Sequence, residues 1–161
     1  MVHSAYLESD IFATTSNGEW QGYPANGSFA MRAYVRGNND ITYHRGLTVH
    51  TGDDGWVAAP VEARITYDIA NRSVTKLTGI FGYTTYSTSG MGIVDHSEGA
   101  LTVTCAESGR FLGGVGLTSR ESPKSVSIDI PPGINKVTIR LFAKTTSVYT
   151  TQVGFGDAVF E

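Results

Sequence analysis

The chain has 161 residues, enough for one domain with its own core, and a net charge of −3 with the two signs interspersed. Charged residues make up 17%, against an ordinary share of about 25%, and no basic stripe is present, so nucleic-acid binding is not expected. No apolar run approaches the roughly 18 residues needed to cross a bilayer as a helix, so no membrane insertion is expected.

The chain opens on MVHSAYLESD, which lacks the basic-then-apolar order of a secretion signal. Residues 14–27, TTSNGEWQGYPANG, read as a long polar loop that carries Trp20 and Tyr23. Strands follow at SFAMRAYV and at YHRGLTVH, where Gly46 within the strand signals a bulge or a close backbone approach. The turn TGDDG brings Asp53, Asp54 and Trp56, and ARITYDI then alternates through Ile65, Tyr67 and Ile69. After the turn ANRS comes VTKLTGIFGY, then a second long loop over residues 84–99.

ALTVTC alternates through Leu101 and Val103 and ends in Cys105, which reads as a buried, inert thiol. RFLGGVGL, SVSIDI and NKVTIRLFAK continue the pattern, and GFGDAVF closes the chain. The 19 glycines and the frequent Thr, Ser, Val and Tyr suit strands joined by tight turns, and no long segment carries a 3.6-residue period. The expected architecture is one all-β domain over residues 1–161, a two-sheet β-sandwich with long loops at its ends.

Catalytic arrangements find little support. Asp95, His96 and Ser97 are adjacent, and neighbours in an extended chain point to opposite faces, so they cannot form a relay. His44 and His50 on one strand would lie roughly 20 Å apart, too far to share a metal unless the chain bends sharply at Gly46. Sugar binding fits the composition better. A pyranose stacks its apolar face on Trp or Tyr, and its hydroxyls suit Arg, Asp, Asn, Glu or His. Trp20 and Tyr23 are candidate stacking platforms, and Trp56 is a weaker one. His50 reads either as a core histidine bonded to a carbonyl or as a ligand contact, and Arg45 equally as the partner of an acidic neighbour.

The order of these patterns resembles the NPCBM domain, grouped with family 51 carbohydrate-binding modules (CBM51). Tyr43–His50 is similar to its Y-x-(K/R)-G-(L/I)-x-x-H signature, ITYDI to I-x-Y-x-L, LTGIFGY to F-x-A-x-V-G, and VGFGDAVF to the terminal D-W-A-D-A-x-F. LTVTCAESGRFLGGVGL and KVTIRLFA fit two further patterns between them. The resemblance implies a galactose-binding-like jelly-roll sandwich. Its role would be non-catalytic recognition of galactose-containing glycans through loops at one end, with a structural calcium ion in some relatives.

Carried onto this chain, the ligand contacts are Tyr43, Arg45 and His50, with Trp20 or Tyr23 as the platform. Tyr83 joins them, standing with Thr84 and Thr85 where the family carries an acidic residue. Gly154 and Phe155 replace the family's Asp and Trp, while Asp157 and Ala158 match. Calcium ligands are expected at Asp10 and Asp157. The expected setting is extracellular or at a cell surface, within a larger secreted protein such as a glycoside hydrolase. The rival setting is a phage particle, as a homo-oligomeric decoration or receptor-binding component.

Overall fold

Alternation of apolar and polar residues becomes strands wherever it runs for five or more positions. The computed structural model of the chain describes residues 5–6, 21–23, 28–36, 42–50, 61–83, 97–118, 121–145 and 152–161. Its strands are β1 (Ala5–Tyr6), β2 (Gln21–Tyr23), β3 (Ser28–Arg36), β4 (Thr42–His50), β5 (Val61–Asp68), β6 (Lys76–Tyr83), β7 (Ser97–Cys105), β8 (Phe111–Leu117), β9 (Lys124–Asp129), β10 (Lys136–Thr145) and β11 (Gln152–Phe160). One sheet runs β3-β4-β11-β6-β9 with β1 added on β11, and the other runs β2-β5-β10-β7-β8. Every pairing is antiparallel. Among the described residues there is no helix.

The core is what the alternation promised. Val137, Ile139 and Leu141 of β10 stand in register with Tyr67, Ile65 and Ala63 of β5 on one side and Cys105, Val103 and Leu101 of β7 on the other. Facing them from the first sheet, that of β4, β11 and β6, are Leu47, Val49, Leu77, Phe81, Tyr83, Val153 and Phe155, all fully buried. Each large side chain removed from water in this way stabilises the fold by about 1.5–3 kcal/mol before conformational entropy is counted. Cys105 is buried and free, as expected, and its thiol donates to Glu107 Oε2 at 3.0 Å.

Two departures from regular pairing shape the first sheet. β11 pairs with β6 from Val153↔Tyr83 to Gly156↔Ile80 and resumes only at Val159↔Thr78. Asp157 and Ala158 therefore stand opposite Gly79 alone, a β-bulge, with Asp157 at φ +47°. Aspartate tolerates this left-handed conformation better than most residues. The extra residue reverses the side alternation, so Val153 and Phe155 face the core before the bulge and Ala158 and Phe160 after it. Phe160 then meets Tyr67 of the opposite sheet edge to face, ring centroids 5.5 Å apart.

The second departure answers the glycine in YHRGLTVH. β4 pairs with β11 from His50↔Gln152 down to Gly46↔Gly156 and no further, and β1 takes over beside Val159 and Phe160. A Cβ on Gly46 would run into the carbonyl oxygen of Phe155, and one on Gly156 would lie 2.5 Å from Tyr43 Cβ. The two strands touch more closely than any side chain permits.

Three short pieces differ from expectation. β2 lies inside the anticipated loop 14–27, added at the sheet edge through Gln21↔Arg64, and β1 was not anticipated at all. Ser97–Gly99, expected in the second loop, belongs to β7, because β10 extends to Thr145 and carries the pairing with it. At the outer edge of the second sheet, the uncharged β8 has its Gly116 carbonyl covered by Lys124 Nζ at 2.9 Å.

Replacing Gly46 or Gly156 by alanine is expected to lower unfolding free energy by about 2–3 kcal/mol in urea titrations, through forced separation of the strands. Gly116→Ala, where a Cβ meets nothing nearer than 3.9 Å, is expected to change it by less than about 0.5 kcal/mol.

Candidate functional site

Strand direction sorts the candidate residues. β4 and β6 both run antiparallel to β11, and β2 antiparallel to β5, so Tyr23, His50 and Tyr83 end their strands at one pole of the sandwich. A Cβ on Gly99 would lie 2.7 Å from Val153 Cγ1, which places the start of β7 and the start of β11 at that same pole. The connections of residues 24–27, 51–60, 84–96 and 146–151 leave from there and lie outside the described residues, as do Trp20, Asp53, Asp54, Trp56, Asp95 and His96. Of Tyr23, Arg45 and His50 the backbone is described.

Tyr43 does not share this pole. It opens β4, roughly 23 Å from His50 at about 3.3 Å per residue, where it is half-buried and packs its Cβ over Gly156. Arg45 sits between the two.

Tyr83 is a correction. It was expected to touch ligand, yet it is fully buried, and its hydroxyl donates to the carbonyls of Leu117 (3.4 Å) and Thr118 (3.2 Å). The cause is phase: Leu77, Phe81 and Tyr83 share one face of β6, and that face is the core. Burial, with the negative charges of Glu121 and Glu98 beyond it, pushes the phenol above its ordinary range.

Asp157 is exposed at the bulge, while Asp10 lies outside the described residues. Among the described residues no group of three or more His, Cys, Asp or Glu side chains comes together as a metal site. Ser97, once the third member of an unworkable relay, is buried at the start of β7.

On the outer face of the second sheet, Glu62 accepts from Arg140 Nε at 2.9 Å and Arg64 Nε at 2.5 Å, and Arg140 lies over the ring of Phe142 at 5.2 Å. The hydrogen bond from Arg140 is the main reason that the Glu62 carboxyl stays below its usual range. A carboxylate so held remains ionised and cannot serve as a general acid near neutrality.

The opposite pole holds a feature that the sequence reading passed over. The turns read as ANRS and PPG come together, tied by Ile69 N–H to Asn135 O (2.8 Å) and Ile130 N–H to Thr75 O (2.8 Å). Between them lies an open recess of about 430 Å³. Asn71 and Ser73 on its rim are both in the left-handed region, at φ 63° and 51°.

No family model matches the chain, and no curated protein is similar to it. Solved structures share its fold. The M60 catalytic domain of Clostridium perfringens ZmpB with its CBM51-1 and CBM51-2 domains aligns at TM-score 0.62 and 10% identity, over 98% of this chain and 15% of that one. The tandem CBM51 modules of a family 98 glycoside hydrolase from Streptococcus pneumoniae give 0.60 and 12%, over 98% and 47%. CBM51-2 of ZmpB in complex with GlcNAc, with INT domains, gives 0.58 and 13%, over 98% and 31%. The fold is therefore that of CBM51 modules, as the sequence patterns implied, and this chain spans less than half the length of each of those solved chains.

Tyr83→Phe is expected to cost about 1 kcal/mol by removing the buried hydroxyl's bonds. A folded-state phenol raised above its unfolded value of about 10 contributes stability that is intact below that pH and lost as pH rises beyond it. Denaturation between neutral pH and about pH 11 should show a shallower alkaline decline in Tyr83→Phe than in wild type.

Proposed function

We propose that the chain is a non-catalytic carbohydrate-binding module that recognises galactose-like glycans at the pole where β2 and β4 end. The observation that carries this reading is the joint arrival of Tyr23 and His50 at the pole from which the long connections leave. A rigid sandwich with long end loops is the usual support for ligand contacts. Tyr23, with Trp20 near it in sequence, supplies an aromatic surface for the apolar face of a pyranose. His50 supplies a donor or acceptor for a hydroxyl. The GlcNAc complex of a module with this fold supports the class of ligand.

The setting belongs to the same proposal. Two of the solved chains combine modules of this fold with other parts, including the M60 catalytic domain of ZmpB. A sugar module tethered to an enzyme concentrates it on its substrate, and weak single-site affinity is made good by several sites acting together. A structural calcium ion is the minor part of the reading, with Asp157 as its described carboxylate. A melting midpoint unchanged by EDTA removes the ion and leaves the sugar reading intact.

A glycan array followed by calorimetry tests the main claim. Binding to galactosides is expected, weakened about tenfold or more, equivalent to about 1.4 kcal/mol, by His50→Ala and by Trp20→Ala. A wild-type chain that binds other glycans but no galactoside overturns the specificity, and one that binds no glycan overturns the reading.

A further inference from the structure

We infer that the recess at the opposite pole is a second sugar site, selective for a neutral pyranose with a methyl-ended substituent, either acetamido or 6-deoxy. This rests on the carbohydrate reading above but on different residues. The floor is apolar: Ile69 and Ile130 close the core, and Val74 and Ile134 pack against it. Aliphatic side chains and Pro131 offer contact to a methyl group, and no aromatic ring is present to stack a sugar face.

The rim is polar and uncharged. Asn71, Ser73 and Asn135, all exposed, are among the residues that line it. A carboxamide both donates and accepts, so it matches an amide or a pair of hydroxyls. No ionisable side chain lines the recess, so nothing there favours a uronate or a sulfated sugar. The volume of about 430 Å³ lies in the lower part of the roughly 300–1,000 Å³ span of small-molecule pockets.

The site is also held in shape before any ligand arrives. Ala70 N–H bonds to Asp68 Oδ1 (2.9 Å) and Arg72 N–H to Ile69 O (3.2 Å). Glu161 clamps the far side, where its carbonyl accepts from Lys76 N–H (3.0 Å) and its N–H donates to Lys76 O (2.8 Å). Asn71 and Ser73 hold left-handed backbone, at φ 63° and 51°.

The test is a two-dimensional amide NMR titration of the full chain with four methyl glycosides: of N-acetylglucosamine, fucose, glucose and glucuronic acid. Saturable shifts are expected at the amides of residues 70–75 and 133–135, with the first two sugars at least fivefold tighter than the last two. Asn71→Gly, which keeps the positive φ, and Asn135→Ala should each weaken binding at least fivefold, whereas His50→Ala should leave these shifts unchanged. Absence of saturation at these amides, equal response to all four sugars, or variants that bind like wild type overturns the inference. Shifts confined to the surroundings of His50 overturn it while supporting the other pole. Shifts confined to the recess support it and remove the other pole from the proposed function.

Discussion

Contact between β4 and β11 at Gly46 and Gly156 is the constraint on which the first sheet depends. With no Cβ on either residue the backbones meet, Tyr43 closes over the contact, and β4 parts from β11 directly beyond it. One residue later the bulge at Asp157 and Ala158 turns the last stretch of β11 over. These adjacent irregularities deliver Phe160 to Tyr67 and complete the seam between the sheets. A strictly regular β11 would have aimed Val159 inward and left Phe160 in water.

From this frame the chain distributes its chemistry to two poles. At one, strands end in Tyr23 and His50 and lead into long connections; at the other, tight turns lock a recess with an uncharged rim. The outer face of the second sheet carries structural chemistry instead: a carboxylate held between two guanidinium groups. The division suits a sandwich, whose flanks are fixed by pairing and whose ends are free to differ.

Most of the fold was legible because long strands declare themselves through period two. NKVTIRLFAK gave β10 with its inward residues correctly placed, and Gly46 was a sound signal of close approach. β1 and β2 were not, since two or three residues hold no period. The bulge was hidden because Asp157 looks like any polar strand residue, and only the inward Ala158 and Phe160, out of step with Phe155, betray it. Tyr83 could have been read as core from its spacing to Leu77 and Phe81. The recess could not: ANRS and PPG lie far apart in sequence, and only the pairing of β5 with β10 and of β6 with β9 brings them together.

The lysine over the rim of β8 bears on how many copies can be crowded together. FLGGVGL ends its sheet with backbone groups turned to solvent and without one ionised side chain of its own, the kind of margin on which a second copy can lay down another strand. Lys124 spans that margin to the Gly116 carbonyl, with Glu121 at 3.3 Å from its ammonium. Its charge would have to be displaced before two such margins could zip together.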